Sequence, residues 1–247
     1  MTYAWAAALF LPLFPFSMLL NLMLSRLRWP AARAVLLLIW PQIGIAILFV
    51  TAPDIPAFVV PWALATSALY ALRLLTVRDL GMWAGFLATS VLSLTWGLAQ
   101  SGAPTENLHV FAFWFSLPAG LLALLTQPLI DRFGAAYAGL SGGLSAMLPR
   151  LSAVLVVTLL AAIATPPFPG FFAILDLLPR LNASADIVIL VIWLIWGWAA
   201  TRLLQGFVAG AAQPASIDDI GRQSTWAYMG VLCVLVLVGL YLTGGGL

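Results

Sequence analysis

The chain has 247 residues, of which 64% are hydrophobic and only 7% charged, with a formal net charge of +2. That composition excludes an ordinary soluble domain, and the small net charge gives no reason to expect a nucleic-acid partner. All ten basic residues are arginine, and the single histidine and single cysteine leave nothing from which to build a metal cluster or an internal disulfide. No cofactor is expected. The first ten residues lack a basic n-region, so the first apolar segment reads as a retained span rather than a cleaved signal.

Hydropathy divides the chain into eight predicted spans, at about 4–24, 33–52, 57–77, 81–99, 108–130, 151–178, 186–208 and 225–243. The expected fold is therefore an all-α polytopic membrane protein, a single transmembrane domain over 1–247. The connections provide an independent check. Arg26, Arg28 and Arg33 fall in or beside the first, Arg73 and Arg78 the third, Arg132 and Arg150 the fifth, and Arg202 and Arg222 the seventh. Only Arg180, in the sixth, departs from the odd-numbered set. By the positive-inside rule this alternation places the odd connections in the cytoplasm and both termini outside, in a bacterial inner membrane.

The first span carries Pro12 and Pro15 near its start, the second contains Pro41, and Pro61 lies early in the third. These predict kinks. Trp5, Trp29, Trp62, Trp83 and Trp226 sit near predicted span ends, as an interfacial belt requires. Trp193 and Trp196, three residues apart, lie deeper and read as facing lipid or a partner helix. Asn21, Gln42, Gln100, Gln127 and Gln205 read as interhelical hydrogen-bonding groups.

The sixth span differs from the others. As a continuous helix, 151–178 would measure roughly 42 Å at 1.5 Å per residue, against a hydrocarbon slab of about 30 Å. Pro166, Pro167 and Pro169 lie in its middle, each removing a donor and crowding the preceding turn. A helix broken between Pro166 and Gly170 is predicted. Unwound backbone at membrane depth is tolerated only where protein or a watery cavity surrounds it, and in transporters such breaks often line the ion path.

The ionisable residues have two readings each. Asp176 lies within the sixth span and is a candidate ion-path group; Arg180, four residues on, also fits a helical ion pair at the membrane surface. His109 could relay protons, beside Glu106, but begins its span and also suits a surface role. Arg150 could enter a polar axis or anchor the cytoplasmic end. The 210–224 stretch, with Asp218, Asp219 and Arg222, is a candidate docking surface for a soluble partner, or a solvated loop. Ser216 and Asp219 have capping-box spacing, which predicts a short surface helix there. No paired acids, nucleophile triad or phosphate-binding glycine loop is present, so the chain is not expected to be an enzyme by itself.

Gly142-Gly143-Leu144, then Met147-Leu148-Pro149-Arg150-Leu151, then an apolar run ending Pro166-Pro167-Phe168-Pro169-Gly170-Phe171-Phe172 form one wording. It resembles the proton-conducting antiporter-like family: the large membrane subunits of respiratory complex I, multisubunit sodium/proton antiporters, membrane-bound hydrogenases and the membrane partner of some inorganic-carbon uptake systems. The match is concentrated in about 130–178 of a shortened, diverged chain. The resemblance implies the broken helix, with Pro166, Pro167, Pro169 and Gly170 at the ion path, and larger membrane subunits as partners. It does not bring the family's charged relay. There is no lysine; Trp114 and Pro118 stand where a basic pair would fall; Ile174 occupies the position of an acid or lysine, with Asp176 two residues further on.

Three functions fit these observations. The first is an antiporter-like subunit of a larger proton-translocating complex, of the NADH–quinone oxidoreductase or a related type, that does not pump alone. The second is a membrane anchor recruiting a soluble inorganic-carbon or redox enzyme. The third is a self-contained proton or cation channel.

Overall fold

A computed structural model describes residues 2–51, 54–140, 142–210 and 217–243. The elements in order are α1 (Thr2–Phe10), α2 (Ser17–Arg26), α3 (Pro30–Thr51), α4 (Val59–Leu74), α5 (Leu80–Ser93), α6 (Thr95–Gln100), α7 (Thr105–Phe133), α8 (Leu144–Met147), α9 (Pro149–Ala162), α10 (Pro169–Leu177), a 3-10 turn (Leu178–Arg180), α11 (Ala183–Val208) and α12 (Arg222–Thr243). No β-strand occurs among the described residues; one isolated bridge pairs Asp79 with Tyr137. The fold is an all-α polytopic membrane bundle, as the apolar runs require.

Among the described residues, five helices are long and apolar enough to cross a bilayer: α3, α5 continued by α6, α7, α11 and α12. The other three predicted spans fall on the 16-residue α4 and on two interrupted pairs, α1/α2 and α9/α10. The sixth span breaks as predicted. The expectation of one kinked helix for the first span is corrected: it is interrupted as fully as the sixth. Each interruption is six residues, 11–16 and 163–168. Proline explains both: Pro12 and Pro15 in the first, and Pro166 and Pro167 in the second, each remove a backbone donor.

The α5–α6 span forms the centre, with 89% of its apolar window buried, whereas α12 is peripheral at 17%. Asp79 starts α5 with a side-chain cap, its Oδ1 accepting from Met82 N–H at 2.7 Å. Small residues let neighbouring helices close on one another. Gly120 of α7 faces Ala34 of α3, with room for no more than ordinary contact.

The connections sort into two ends. At one end, Leu80 N–H donates to Ala136 carbonyl (3.0 Å), Ala138 N–H to Arg78 carbonyl (2.9 Å) and Gly139 N–H to Gly206 carbonyl (2.8 Å). Arg132 Nε donates to Asp218 carbonyl at 2.7 Å, which joins the fifth and seventh connections. At the other end, Gln100 donates to Pro56 carbonyl at 3.1 Å, and a cleft lined by Ala57, Gln100, Arg180 and Asn182 joins the second, fourth and sixth. The odd-numbered connections after the first thus meet one another, and the even-numbered ones do likewise, as the arginine alternation anticipates.

Trp83 does not belong to an interfacial belt. It is fully buried, and its indole nitrogen has no hydrogen-bond partner in the described structure. Trp29 and Trp226 are exposed at helix ends, as a belt residue should be.

Candidate functional site

The two interruptions pose the same physical problem. A helix that stops within an apolar bundle leaves carbonyls that lose their intrahelical donors, and each unpaired group is costly there. Both breaks solve it with tryptophan. The Trp96 indole N–H donates to the Leu11 carbonyl at 3.1 Å, and the Trp62 indole to the Phe14 carbonyl at 2.7 Å. At the second break the Trp193 indole donates to the Ile163 carbonyl at 2.9 Å. Leu11 and Ile163 are each the first residue past the preceding helix. Indole suits this position because it combines a large apolar body with one donor and no acceptor.

Each break also receives a glycine from a neighbouring helix. A Cβ on Gly44 of α3 would lie 3.0 Å from Leu11 N and 2.8 Å from Phe10 Cβ. A Cβ on Gly239 of α12 would overlap the Pro167 carbonyl oxygen. The second break additionally holds Ala164 at φ 58°, a left-handed conformation uncommon for a residue with a side chain. Thr165 bridges back, its Oγ1 donating to Leu160 carbonyl at 3.0 Å.

A polar core extends from the first break. Phe14 N–H donates to Thr66 Oγ1 (3.1 Å), and Ser17 Oγ lies 3.0 Å from Tyr70 Oη. Asn21 donates to Ser17 carbonyl (2.9 Å) and Thr89 Oγ1 (3.1 Å). Deeper in, Ser90 Oγ donates to Ser67 carbonyl (2.7 Å), and Ser93 Oγ lies within bonding distance of the Ala63 and Ser90 carbonyls. The Trp196 indole donates to Ser90 Oγ at 2.9 Å. Through Trp193 and Trp196, α11 therefore contacts both the second break and this core; the partner-helix reading of the pair holds.

All buried polar side chains among the described residues are uncharged. The polar core, of hydroxyls, one amide and indoles, joins α2, α4, α5 and α11 through separate groups of hydrogen bonds. It contains no carboxylate, histidine or arginine side chain.

The predicted site residues lie elsewhere. Pro166, Pro167, Pro169 and Gly170 form the second break and the start of α10. Asp176 and Arg180 make a forked ion pair, with Arg180 Nη2 to Asp176 Oδ1 at 2.9 Å and Nε to Oδ2 at 3.2 Å. The Arg180 side chain is 30% exposed and that of Asp176 37%, which puts the pair at the bundle's edge. The hydrogen bond to the carboxylate, and then its charge, raise the Arg180 pKa. His109 is half-buried, with Nδ1 2.5 Å from Gln42 Oε1 rather than paired with Glu106.

Asp219 is committed within the chain: its carboxylate accepts from Arg150 N–H (2.7 Å) and Leu151 N–H (3.1 Å), capping α9 from the seventh connection. The Arg150 guanidinium donates to Ile220 carbonyl at 3.3 Å. Asp218 and Arg222 are exposed beside it. Ser216 lies outside the described residues, and 217–221 is not helical. Sequence reasoning missed the hydroxyl core, because a serine or threonine inside an apolar run carries no local sign of which helix it faces. It also missed the first break, for which Pro12 and Pro15 were the available signal.

No protein-family model matches the chain, and no curated protein matches it by sequence. Solved structures do. A chain of respiratory complex I from Thermus thermophilus with bound NADH superposes at TM-score 0.80 and 18% identity, over 97% of this chain and 54% of that one. A chain of the Mrp complex from Dietzia sp. DQ12-45-1b gives 0.81 and 17%, over 96% and 55%. A chain of the membrane-bound sulfane sulfur reductase, an archaeal respiratory membrane complex, gives 0.82 and 13%, over 98% and 52%. The chain spans about half the length of the chains it matches. At these identities the likeness is one of fold, and it bears out the resemblance read from Gly142 to Phe172: the protein has the antiporter-like membrane fold over the half that it covers.

Proposed function

We propose that this protein is an antiporter-like integral membrane subunit of a larger ion-translocating complex, and that it does not pump protons alone. The observation that carries this reading is the combination of two capped helix breaks with a buried polar core that is wholly uncharged. A fold shared with chains of ion-linked and respiratory complexes supports subunit status. The neutral core argues against independent pumping, because a proton relay needs groups that change charge within the membrane. Its partners are other membrane subunits, including a larger antiporter-like relative. The exposed apolar faces of α11 and α12, with Leu194, Trp198, Val234 and Leu237, suit contact with membrane subunits and lipid. The odd-numbered connections lie in the cytoplasm of a bacterial inner-membrane system, and the eight-crossing topology follows from the same reading.

The test is purification of the tagged chain in mild detergent, followed by reconstitution. The expected result is co-purification with further membrane subunits, with no proton flux above empty vesicles for the isolated chain. A solitary protein whose vesicles conduct protons, and lose that conduction on Asp176→Asn, would reverse the conclusion in favour of a self-contained channel.

A further inference from the structure

Clefts of similar size open at opposite ends of the bundle. The cleft at the even-numbered end, about 590 Å³, has Arg180 as its one charged lining residue, already neutralised by Asp176. The cleft at the odd-numbered end, about 540 Å³, lies between the end of α4, the third and fifth connections and α11. It presents Arg78 and Arg202, with Thr76 and Gln205 beside them, and among the described residues no carboxylate lines it. Neither guanidinium has a hydrogen-bond or ion-pair partner among the described residues.

The frame that carries these arginines is fixed. The backbone of Arg78 is bonded to Ala138, and Gly139 is bonded to Gly206 of α11. Gly206 is bare because Ala138 sits against it: a Cβ there would lie 2.8 Å from Ala138 Cβ. The rest of the lining is apolar, with Leu75 and Val77 half-buried beside the fully buried Leu74 and Leu203. The cleft therefore places two unpaired cations beside a partly apolar lining, where α4 ends and α11 nears its end. Guanidinium forks match phosphate oxygens in pairs, and basic pockets between membrane helices favour anionic headgroups. We propose that this cleft binds the headgroup phosphate of an anionic phospholipid. The assignment does not depend on the function proposed above.

The experiment uses the full chain in nanodiscs of phosphatidylcholine doped with labelled phosphatidylglycerol, with lipid retention read after extraction into detergent. Wild type should retain phosphatidylglycerol over labelled phosphatidylcholine. Arg78→Gln with Arg202→Gln should lower that preference by on the order of 30-fold, about five-fold per arginine. Arg26→Gln with Arg28→Gln removes the same charge from the first connection and should leave retention unchanged. An equal fall in both double variants would mean diffuse charge attraction and would overturn the site, as would the absence of lipid preference in wild type. Inorganic phosphate separates the two sources of the anion. Failure of millimolar phosphate to displace the lipid supports a headgroup site; full displacement overturns it in favour of a free-anion site. Circular dichroism confirms that the variants, altered only at exposed side chains, remain folded.

Discussion

Gly239 of α12 lies against Pro167, its bare α-carbon occupying space that any side chain would contest with the Pro167 carbonyl oxygen. The break in the sixth segment is thus held from outside by a peripheral helix. Its carbonyl at Ile163 is satisfied from another side by Trp193.

Gly239→Ala should destabilise the protein by about 1–3 kcal/mol, the usual cost of inserting a methyl into a packed contact. Thermal unfolding in detergent measures it. Gly230→Ala, in the same helix but with nothing within 4 Å of the added carbon, is the internal control and should be neutral or slightly stabilising.

Trp96→Phe and Trp193→Phe each keep an aromatic body and delete the donor to a break carbonyl. Each should cost about 1–3 kcal/mol, the penalty of leaving a buried acceptor unpaired. Trp226→Phe, at a residue 76% exposed, should shift the unfolding midpoint far less. Equal effects at all three positions would mean that the indole bonds to the breaks contribute nothing specific.

Asp219→Ala removes the carboxylate that caps α9 and should cost about 1 kcal/mol, typical of a lost helix cap. Limited proteolysis between the described residues 217 and 221 should accelerate, because that segment loses its bonds to Arg150 and Leu151. Asp219→Asn, which keeps an acceptor oxygen, should fall between the two.

Asp176→Asn breaks the pair with Arg180. The pair is about a third exposed and screened by water and salt, so the loss should be within about 1 kcal/mol and vanish at high ionic strength. The Arg180 pKa is raised in the folded state. Its contribution is therefore fully present below the ordinary arginine range and lost only at strongly alkaline pH. On this account, changing pH between about 6 and 9 should not alter the unfolding midpoint through this pair.

The sequence by itself determined that the chain is a bundle of apolar helices. Hydropathy requires it, because runs of about 20 apolar residues cross a bilayer as helices, whose backbone groups bond within their own segment. The three prolines at 166–169 likewise determined that the sixth segment cannot wind through, since proline removes donors wherever it stands, and the alternation of arginines matched the two ends at which the connections gather. Tertiary structure alone decided which polar residues are buried together. Ser17 meets Tyr70, Asn21 meets Thr89, and Trp196 meets Ser90 across 53, 68 and 106 residues of chain. Nothing local to a serine in an apolar run says which helix will face it. It alone decided, too, that Asp219 caps α9 and that Asp176 stays with Arg180 at the edge. The reason is the same in each case. Periodicity and backbone chemistry act over a few residues, whereas a hydrogen bond between helices exists only once packing has chosen their neighbours and rotation.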